Sequence, residues 1–386
     1  MANNNDNKIL NVPPLRFPEF SGEWKKVRLG EECNMLCGYA FNGEDIVEQG
    51  SYLLMRGINI TEGSIRHSPE LDRYYSGSIE KLDKYKLAVG DLVIGMDGSK
   101  VGRNSAIVSS YEDGSYLVQR VCRIKSSIGN NYILQLINNT KFHQYVDTVK
   151  TSSAIPHISL GDIQNFRISI PPTQDETDKI AKLFLLLDER IATQNKIIER
   201  YESLIRGIAQ HCIKESTSGK TYVKLGDICQ ITTGKLDANA QVDNGIYPFF
   251  TCAEQPFKIN SFAFDTEALL ISGNGANLGY INYYKGKFNA YQRTYVLDLF
   301  SENIQYIKWA LKVLLPKRIA IEKSSSNTPY IVLSTLTDLR LPIPCKSKQG
   351  FIANLMQSLE RKLSNQIAQY DSYNYLKQYL LRQMFI

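Results

Sequence analysis

The sequence lacks any long hydrophobic run, and no stretch approaches the roughly 18 apolar residues that a membrane-spanning helix needs. Its polar beginning, residues 1–8, has none of the apolar character of a signal peptide. The seven cysteines are scattered, and only Cys33 and Cys37 lie close together. An odd number of cysteines without a secretion signal indicates reduced thiols. These absences predict a cytoplasmic protein with no membrane partner.

The sequence is also poor in motifs for catalysis. Its four histidines do not cluster with cysteines at zinc-binding spacing. There is no Gly-x4-Gly-Lys-Ser/Thr loop for ATP, and the glycines of residues 273–279 lack the spacing of a dinucleotide-binding fingerprint. Residues 327–330 resemble the Asn-Pro-Pro-Tyr motif of amino-methyltransferases, but Thr replaces the first Pro. We therefore expect no catalytic residues, no metal site and no cofactor in this chain.

Net charge and chain length restrict the possible partners and the number of domains less strongly. The net charge of +6 and the pI near 8.7 are compatible with a polyanionic partner, but many proteins without one share these values. A chain of 386 residues predicts two or three domains.

An internal repeat organises the chain. Residues 27–38 align with residues 223–234, and five of the twelve positions are identical. Further landmarks recur in the same order: a glycine pair (Gly98 and Gly102, then Gly275 and Gly279), a Gln-Arg pair (119–120, then 292–293) and a proline segment (153–158, then 326–331). The offset shrinks from 196 to 177 and then to 173, so the second copy is shorter by 19 residues before the glycine pair. Ordered matches over a whole domain indicate a tandem duplication.

Each copy predicts a mixed part followed by a long helix. Short β-type runs such as residues 91–94, 116–118 and 268–271 alternate with glycine turns, and short helices are expected near 132–137 and 304–315. The first long helix begins after Thr173, with Glu176 at the spacing of a capping box.

Both long helices carry an apolar seam with heptad spacing, interrupted by a glutamine at the same place. Such a seam predicts antiparallel pairing of the two helices, and a helix packed on its own domain is the alternative. The seam residues are Phe184, Leu187, Ile191, Gln194, Ile198, Tyr201, Met356, Leu359, Leu363, Gln366, Tyr370 and Tyr373.

The predicted fold is a mixed α/β chain with two repeated globular domains and two long helices. We call residues 22–173 head 1 and residues 219–345 head 2. Residues 1–21 form an N-terminal segment, 174–218 the central helix and 346–386 the C-terminal helix.

These landmarks resemble the specificity subunits of Type I restriction–modification enzymes. Residues 12–20 followed by 24–30 are similar to the amino-terminal signature of that family. The glycine loops, the Gln-Arg pairs and the Ile-Pro closures at 170–171 and 343–344 also match its pattern. The resemblance covers essentially the whole chain and implies two target-recognition domains joined by antiparallel coiled-coil spacer helices in a pseudo-twofold arrangement.

The resemblance also implies a function. Each head would read one half of a split, asymmetric sequence in double-stranded DNA, and the helices would set the gap between the halves. The helices would also recruit two methyltransferase subunits, which restriction subunits then join. S-adenosylmethionine, ATP and Mg²⁺ would belong to those partner subunits. A protein-binding coiled-coil adaptor and a stand-alone methyltransferase or nuclease are the alternatives.

The glycine loop of head 1 offers Lys100, Arg103 and Asn104 for DNA contacts. Arg and Asn can read guanine and adenine through paired hydrogen bonds, and Lys can hold phosphate. An ordinary turn with solvated polar tips is the alternative. The matching loop of head 2 offers Asn274, Asn277 and Tyr280.

Three further segments complete the candidate interface. The recurring Gln-Arg pairs suit either phosphate binding or the scaffold. The Ser-rich loops suit phosphate. The basic segment 308–323 suits either DNA or a solvated helix face. The additional candidates are Gln119, Arg120, Lys150, Ser152, Ser153, Gln292, Arg293, Lys317, Arg318, Lys323, Ser325 and Asn327.

Separate heads predict modular recognition. Replacing residues 22–173 with the first head of another such subunit should change only one half of the recognised sequence. Sequencing the methylated bases of cells that carry the chimera measures this. A change in both halves would show that the two heads read DNA as one composite surface.

Overall fold

The computed structural model describes residues 10–216, 222–323 and 330–386. The chain divides into two compact units. Unit 1 comprises Met1–Gln194 and Gln369–Ile386, and unit 2 comprises Asn195–Ala368. None of the helices within the described ranges combines the length and apolar character that a membrane span requires.

Head 1 is built on four small sheets. The strand orders are β1-β12, β10-β4-β7-β3, β2-β11-β8-β9 and β5-β6. The strands are β1 (Lys25–Arg28), β2 (Cys33–Cys37), β3 (Ile46–Val47), β4 (Tyr52–Met55), β5 (Ile60–Thr61), β6 (Ser64–Ile65), β7 (Tyr74–Tyr75), β8 (Leu92–Gly95), β9 (Ser105–Ile107), β10 (Tyr116–Leu117), β11 (Val121–Ser126) and β12 (Arg167–Ile170).

Helices cover the sheet β2-β11-β8-β9 and complete the core of unit 1. Leu92, Ile94 and Ile124 of the sheet and Tyr132 and Phe142 of the helices are fully buried in one apolar cluster. Burial of side chains of this size contributes about 2 kcal/mol each. The helices that begin in this unit are α1 (Leu29–Glu32), α2 (Asn130–Ile137), α3 (Thr140–Val149), α4 (Leu160–Asn165) and α5 (Gln174–Ser216).

The beginning of α5 corrects one expectation. The Thr173 hydroxyl accepts a hydrogen bond from the Glu176 N–H at 3.4 Å, as a capping residue does. The Glu176 carboxylate does not complete a capping box. It is fully buried and accepts hydrogen bonds from Arg16 at 2.7 Å and from the Trp24 indole at 3.2 Å. A buried carboxylate needs a charged partner, and Arg16 supplies it from the N-terminal segment.

The C-terminal helix α8 (Lys346–Met384) ends in unit 1. Its Lys377 forms an ion pair with Asp188 of α5, and its Tyr373 accepts a hydrogen bond from Arg190 at 3.2 Å. The contact partner on α8 has a lower residue number when the residue on α5 has a higher one, so the two segments run antiparallel. The Phe385 ring, just beyond α8, lies 5.6 Å from that of Phe184.

Head 2 is built on one larger sheet and a two-stranded ribbon. The strand orders are β14-β19-β17-β18-β15-β16 and β13-β20. The strands are β13 (Tyr222–Lys224), β14 (Gln230–Thr233), β15 (Tyr247–Phe250), β16 (Phe257–Ile259), β17 (Phe264–Ser272), β18 (Ile281–Ala290), β19 (Thr294–Asp298) and β20 (Arg340–Pro342). The helices of this head are α6 (Ile304–Lys323) and α7 (Leu333–Thr337).

The core of unit 2 uses the remaining halves of the long helices. Ile205 and Ile213 of α5 and Ile352 and Met356 of α8 are buried in one cluster with Leu311 of α6. Every predicted seam residue of the chain is buried or half-buried. Each unit therefore contains one head, part of α5 and part of α8.

Helix α6 is longer than the sequence predicts. The expected helix ended at Leu315, before Pro316, but α6 continues through Pro316 to Lys323. Leu315 is fully buried and Ile319 packs against the same cluster, so tertiary packing outweighs the cost of an internal proline.

The repeated opening motif folds the same way in both heads. Strand β1 pairs with β12 and β13 with β20, both antiparallel. The Leu29 N–H donates to the Phe166 carbonyl at 2.8 Å, and the Leu225 N–H donates to the Leu339 carbonyl at 2.9 Å. The mixed α/β fold with two repeated domains that the sequence predicts is confirmed.

The glycine that closes each motif is required by a close backbone approach. A Cβ atom on Gly38 would lie 2.1 Å from the Val118 carbonyl oxygen, and one on Gly234 would lie 1.9 Å from that of Ala290. No side chain fits either position, because a backbone oxygen cannot move aside cheaply.

The buried ion pair predicts a stability difference between substitution of half-buried Arg16 and of exposed Lys25. Arg16→Ala should destabilise unit 1 by about 3 kcal/mol, because it leaves the buried Glu176 carboxylate without a charged partner. Lys25→Ala removes an exposed pair with Glu32 at 3.8 Å and should cost less than about 1 kcal/mol. Urea unfolding followed by Trp24 fluorescence, in a Trp309→Phe background, measures both. Equal losses would contradict this role of Arg16.

Candidate nucleic-acid interface

The glycine loop of head 1 joins β8 to β9 and has a defined backbone. Gly98 and Gly102 adopt φ of +92° and +73°, a region that favours glycine. The Gly102 N–H donates to the Gly95 carbonyl at 3.1 Å, and the Gly98 N–H donates to the Pro156 carbonyl at 3.0 Å. The loop is therefore joined to the segment that contains the predicted Ser-rich loop.

The head 2 loop has the same backbone. Gly275 and Gly279 adopt φ of +79° and +84°. The Gly279 N–H donates to the Ser272 carbonyl at 2.8 Å, which corresponds to the Gly102–Gly95 bond in head 1. The sequence repeat thus reflects a repeated backbone conformation.

The Gln-Arg pairs lie beside these loops in both heads. The Arg120 carbonyl accepts a hydrogen bond from the Met96 N–H at 2.9 Å, and the Arg293 carbonyl accepts one from the Gly273 N–H at 2.8 Å. The side chains of both pairs, including Gln119 and Gln292, are exposed. Arg120 has φ of +68°, which an L-residue adopts only under strain. Backbone bonds thus fix the turns, while the polar tips face solvent.

Three of the four predicted cations of head 1, Lys100, Arg103 and Lys150, have acidic partners. The Lys100 ammonium lies 3.1 Å from Glu62. Asp147 lies 3.1 Å from Arg103 and 2.6 Å from Lys150, and the Lys150 hydrogen bond lowers the pKa of that carboxyl group. The sequence reasoning missed these carboxylates, which lie 38, 44 and 3 residues from the cations along the chain.

Asn104 lines a cleft beside the glycine loop. The cleft has a volume of about 460 Å³, and its wall includes Arg66, Asp97 and Lys100. The sequence reasoning missed Arg66, which lies between the opening motif and the glycine pair, where the two copies differ in length and share no landmark. Comparison of the two copies could not point to it.

In the Ser-rich loop of head 1, one of the two predicted serine hydroxyls already has a hydrogen-bond partner within the loop. Ser152 and Ser153 are exposed, but the Ser153 hydroxyl donates to the Ile155 carbonyl at 2.7 Å. In head 2, Lys323 is the last residue of α6. Its side chain, Ser325 and Asn327 lie outside the part of the chain that the structure describes.

The two asparagines of the head 2 loop support the scaffold. Asn274 accepts a hydrogen bond from the Cys252 thiol at 3.0 Å, and Asn277 donates to the Cys252 carbonyl at 3.0 Å. Tyr280, by contrast, is exposed. Of the three residues predicted in this loop, Tyr280 is the one that presents its side chain to solvent.

The cations of the basic segment of α6 have two different environments. Lys308 and Lys312 lie 2.8 Å and 3.3 Å from Glu360 of α8, and Lys308 is buried. Burial lowers the pKa of Lys312. These two lysines therefore belong to the helix packing of unit 2, and the part of the basic segment left for DNA begins at Lys317. Lys317 is exposed, and Arg318 pairs with Glu322 one turn later.

Across the described ranges, no group of three or more His, Cys, Asp and Glu side chains is arranged to hold a metal ion. The residues of head 1 that the sequence predicts to contact DNA converge on one edge of the domain. Backbone hydrogen bonds join the glycine loop, the Gln-Arg turn and the proline segment at this edge. In head 2, hydrogen bonds from the Gly273 N–H to the Arg293 carbonyl and from the Ile331 N–H to the Gly273 carbonyl, both 2.8 Å, join the glycine loop to the Gln-Arg turn and to the described end of the proline segment.

Comparison with known proteins identifies relatives of this chain. The family model of the Type I restriction modification DNA specificity domain matches the chain twice, over residues 21–203 and 217–370. The Type I restriction enzyme EcoDI specificity subunit of Escherichia coli is 44% identical over 137 residues, which are 36% of this chain and 30% of that protein. The Type I restriction enzyme EcoAI specificity subunit of Escherichia coli is 29% identical over 189 residues, which are 48% of this chain and 30% of that protein. Each match spans less than a third of the relative.

A solved structure supports the fold. The Type-I restriction-modification system S subunit from M. genitalium superposes with a TM-score of 0.68 and 17% identity, covering 97% of this chain and 99% of that one. At this identity the likeness concerns the fold alone.

The two glycines of the head 1 loop should differ in their response to alanine. Gly98→Ala meets nothing within 4 Å and should cost about 1–2 kcal/mol from its positive φ. Gly102→Ala should cost at least about 1 kcal/mol more, because its Cβ would lie 2.8 Å from Val146 Cγ2. Urea unfolding followed by Trp24 fluorescence, again in the Trp309→Phe background, measures both variants. Equal costs would show that the loop moves away from α3 freely.

Proposed function

Because the chain belongs to the family of Type I restriction modification DNA specificity domains, we propose that it selects the DNA sequence on which partner subunits act. Each head reads one half of a bipartite, asymmetric target in double-stranded DNA. The chain itself supplies recognition, and the partners supply the chemistry.

One observation carries this proposal: the two heads share a loop backbone but differ in the side chains that it displays. The positive-φ glycines and their hydrogen bonds recur, while Lys100, Arg103 and Asn104 of head 1 give way to other residues in head 2. A constant scaffold with variable tips suits two readers of different base sequences.

Within head 1 the cations suit phosphate and the cleft suits a base edge. Lys100, Arg103 and Lys150 are partly exposed and lie on neighbouring loops. Asn104 and Arg66 line the adjoining cleft, and their side chains can form paired hydrogen bonds with adenine and guanine respectively. In head 2 we assign the DNA contacts to four exposed side chains, those of Tyr280, Gln292, Arg293 and Lys317.

The long helices provide surfaces for partners. In unit 1, Leu186 of α5 and Tyr375 of α8 are 54% and 71% exposed, and in unit 2 Phe351 of α8 is 67% exposed. Tyr375 and Tyr379 are both exposed one turn apart on α8, and clustered exposed apolar side chains commonly mark protein interfaces. We assign these surfaces to two methyltransferase subunits, which restriction subunits join in the cytoplasm. S-adenosylmethionine, ATP and Mg²⁺ bind to those partners.

Neutralising the head 1 cations should weaken DNA binding. The triple variant Lys100→Ala, Arg103→Ala, Lys150→Ala should bind a random-sequence duplex at least tenfold more weakly at low salt. The slope of log K against log salt should fall by about 0.9 for each phosphate that the variant no longer neutralises. Fluorescence anisotropy of the complete chain over a salt series measures both quantities.

A charge-matched variant provides the control. Lys25→Ala, Arg167→Ala, Lys182→Ala removes the same charge from β1, β12 and α5 and should leave the slope unchanged. Equal losses in both variants would place the phosphate-binding residues elsewhere. Affinity of the unaltered chain that does not depend on salt would favour a protein-binding adaptor.

A further inference from the structure

Cys37 and Cys122 of head 1 stand directly opposite each other on neighbouring strands. In the antiparallel ladder of β2 and β11, Cys37 pairs with Cys122, and Gly38 is opposite Val121. The Gly38 N–H donates to the Val121 carbonyl at 2.9 Å. Because hydrogen-bonded and non-hydrogen-bonded pairs alternate in such a ladder, Cys37 and Cys122 form a non-hydrogen-bonded pair.

This register places the two cysteine side chains directly opposite each other on the same face of the sheet. Non-hydrogen-bonded pairs have Cα atoms about 4.5 Å apart. A disulfide requires roughly 4.4–6.8 Å, so the strands need not separate to accommodate one. A bond at the short end of this range is strained and therefore easily reduced.

The two thiols differ in a way that suits stepwise oxidation. Cys37 is half-buried, with its sulfur 3.7 Å from that of Met96, while Cys122 is fully buried. A hydrogen bond from the Cys122 thiol lowers the pKa of Cys37 below its usual value and raises that of Cys122. Cys37 is thus the more accessible and the more easily ionised thiol of the two.

We propose that Cys37 and Cys122 form a redox-sensitive dithiol, which a hydroperoxide converts reversibly into a cross-strand disulfide. The Cys37 thiolate attacks the peroxide, the O–O bond breaks, and Cys37 becomes a sulfenic acid. The Cys122 sulfur then attacks the Cys37 sulfur, the S–O bond breaks, and water leaves with the Cys122 proton. The dithiol loses two electrons, and the peroxide is reduced to an alcohol or to water.

Neither the equivalent position of head 2 nor the second cysteine of β2 has a partner thiol on the neighbouring strand. At the corresponding position of head 2, Thr233 lies opposite Tyr295, so that head has no dithiol there. Cys33 lies on β2 as well, but Ser126 is opposite it and burial raises the pKa of its thiol to about 11. Cys33 should therefore stay reduced under conditions that oxidise Cys37.

The test is oxidation of the complete chain with hydrogen peroxide, followed by alkylation and peptide mapping without reduction. We expect a peptide that joins Cys37 to Cys122, its loss on treatment with dithiothreitol, and its absence in Cys37→Ser. Cys122→Ser should instead leave a Cys37 sulfenic acid that dimedone traps. Cys345→Ser, which removes an exposed thiol, should leave the disulfide unchanged.

The unaltered chain provides a measurement that does not depend on any variant folding. Alkylation of Cys37 should be at least roughly tenfold faster than that of Cys33 at neutral pH, with a midpoint below the usual thiol pKa of about 8.5. Oxidation confined to Cys345, a disulfide between two chains, or Cys37 alkylation no faster than that of Cys33 would overturn the proposal.

Discussion

Burial of the apolar seams of two long helices is the constraint on which the rest of the structure depends. A helix of 43 residues that carries an apolar seam gains most of its stability from tertiary packing of that seam. Each unit meets this need by packing its head against part of α5 and part of α8. In unit 1, Phe184 and Phe385 lie against the head helices, and in unit 2 Ile205 and Met356 do so. A head and its helix segments therefore share one core.

The backbone of each head leaves its display loops free to vary. Gly38 and Gly234 allow close backbone contacts, and the positive-φ glycines direct the loops, so conformation is determined by positions that carry no side chain. Residues between those glycines can change without altering the fold. This separation explains why the duplicated copies keep their landmarks while Arg103 of head 1 is replaced by Tyr280 at the equivalent position of head 2.

The repeat made much of the fold predictable, because equivalent landmarks imply equivalent local structure. The mixed heads and the long helices followed from it. What could not be predicted depends on partners distant in the chain. The carboxylates of Asp147 and Glu360 meet Arg103 and Lys308 across 44 and 52 residues, and no spacing rule links them. Glu176 stood at a capping-box position, yet Arg16 attracts its carboxylate from 160 residues away. Arg66 lies between two landmarks where the copies differ in length, so the repeat gave no equivalent position for it.

The ion pairs at the head 1 loop give the proposed interface a means of selectivity. A cluster of unpaired cations would attract any duplex, because phosphate attraction does not depend on sequence. Arg103 and Lys150 instead share Asp147, and Lys100 faces Glu62. These exposed pairs are individually weak, so a phosphate can replace a carboxylate where the geometry is favourable. Replacement at several positions together requires the backbone of the duplex to lie in register with the loop. Under the proposed function, that register is reached when Asn104 and Arg66 meet matching base edges, which couples the general attraction for DNA to the reading of sequence.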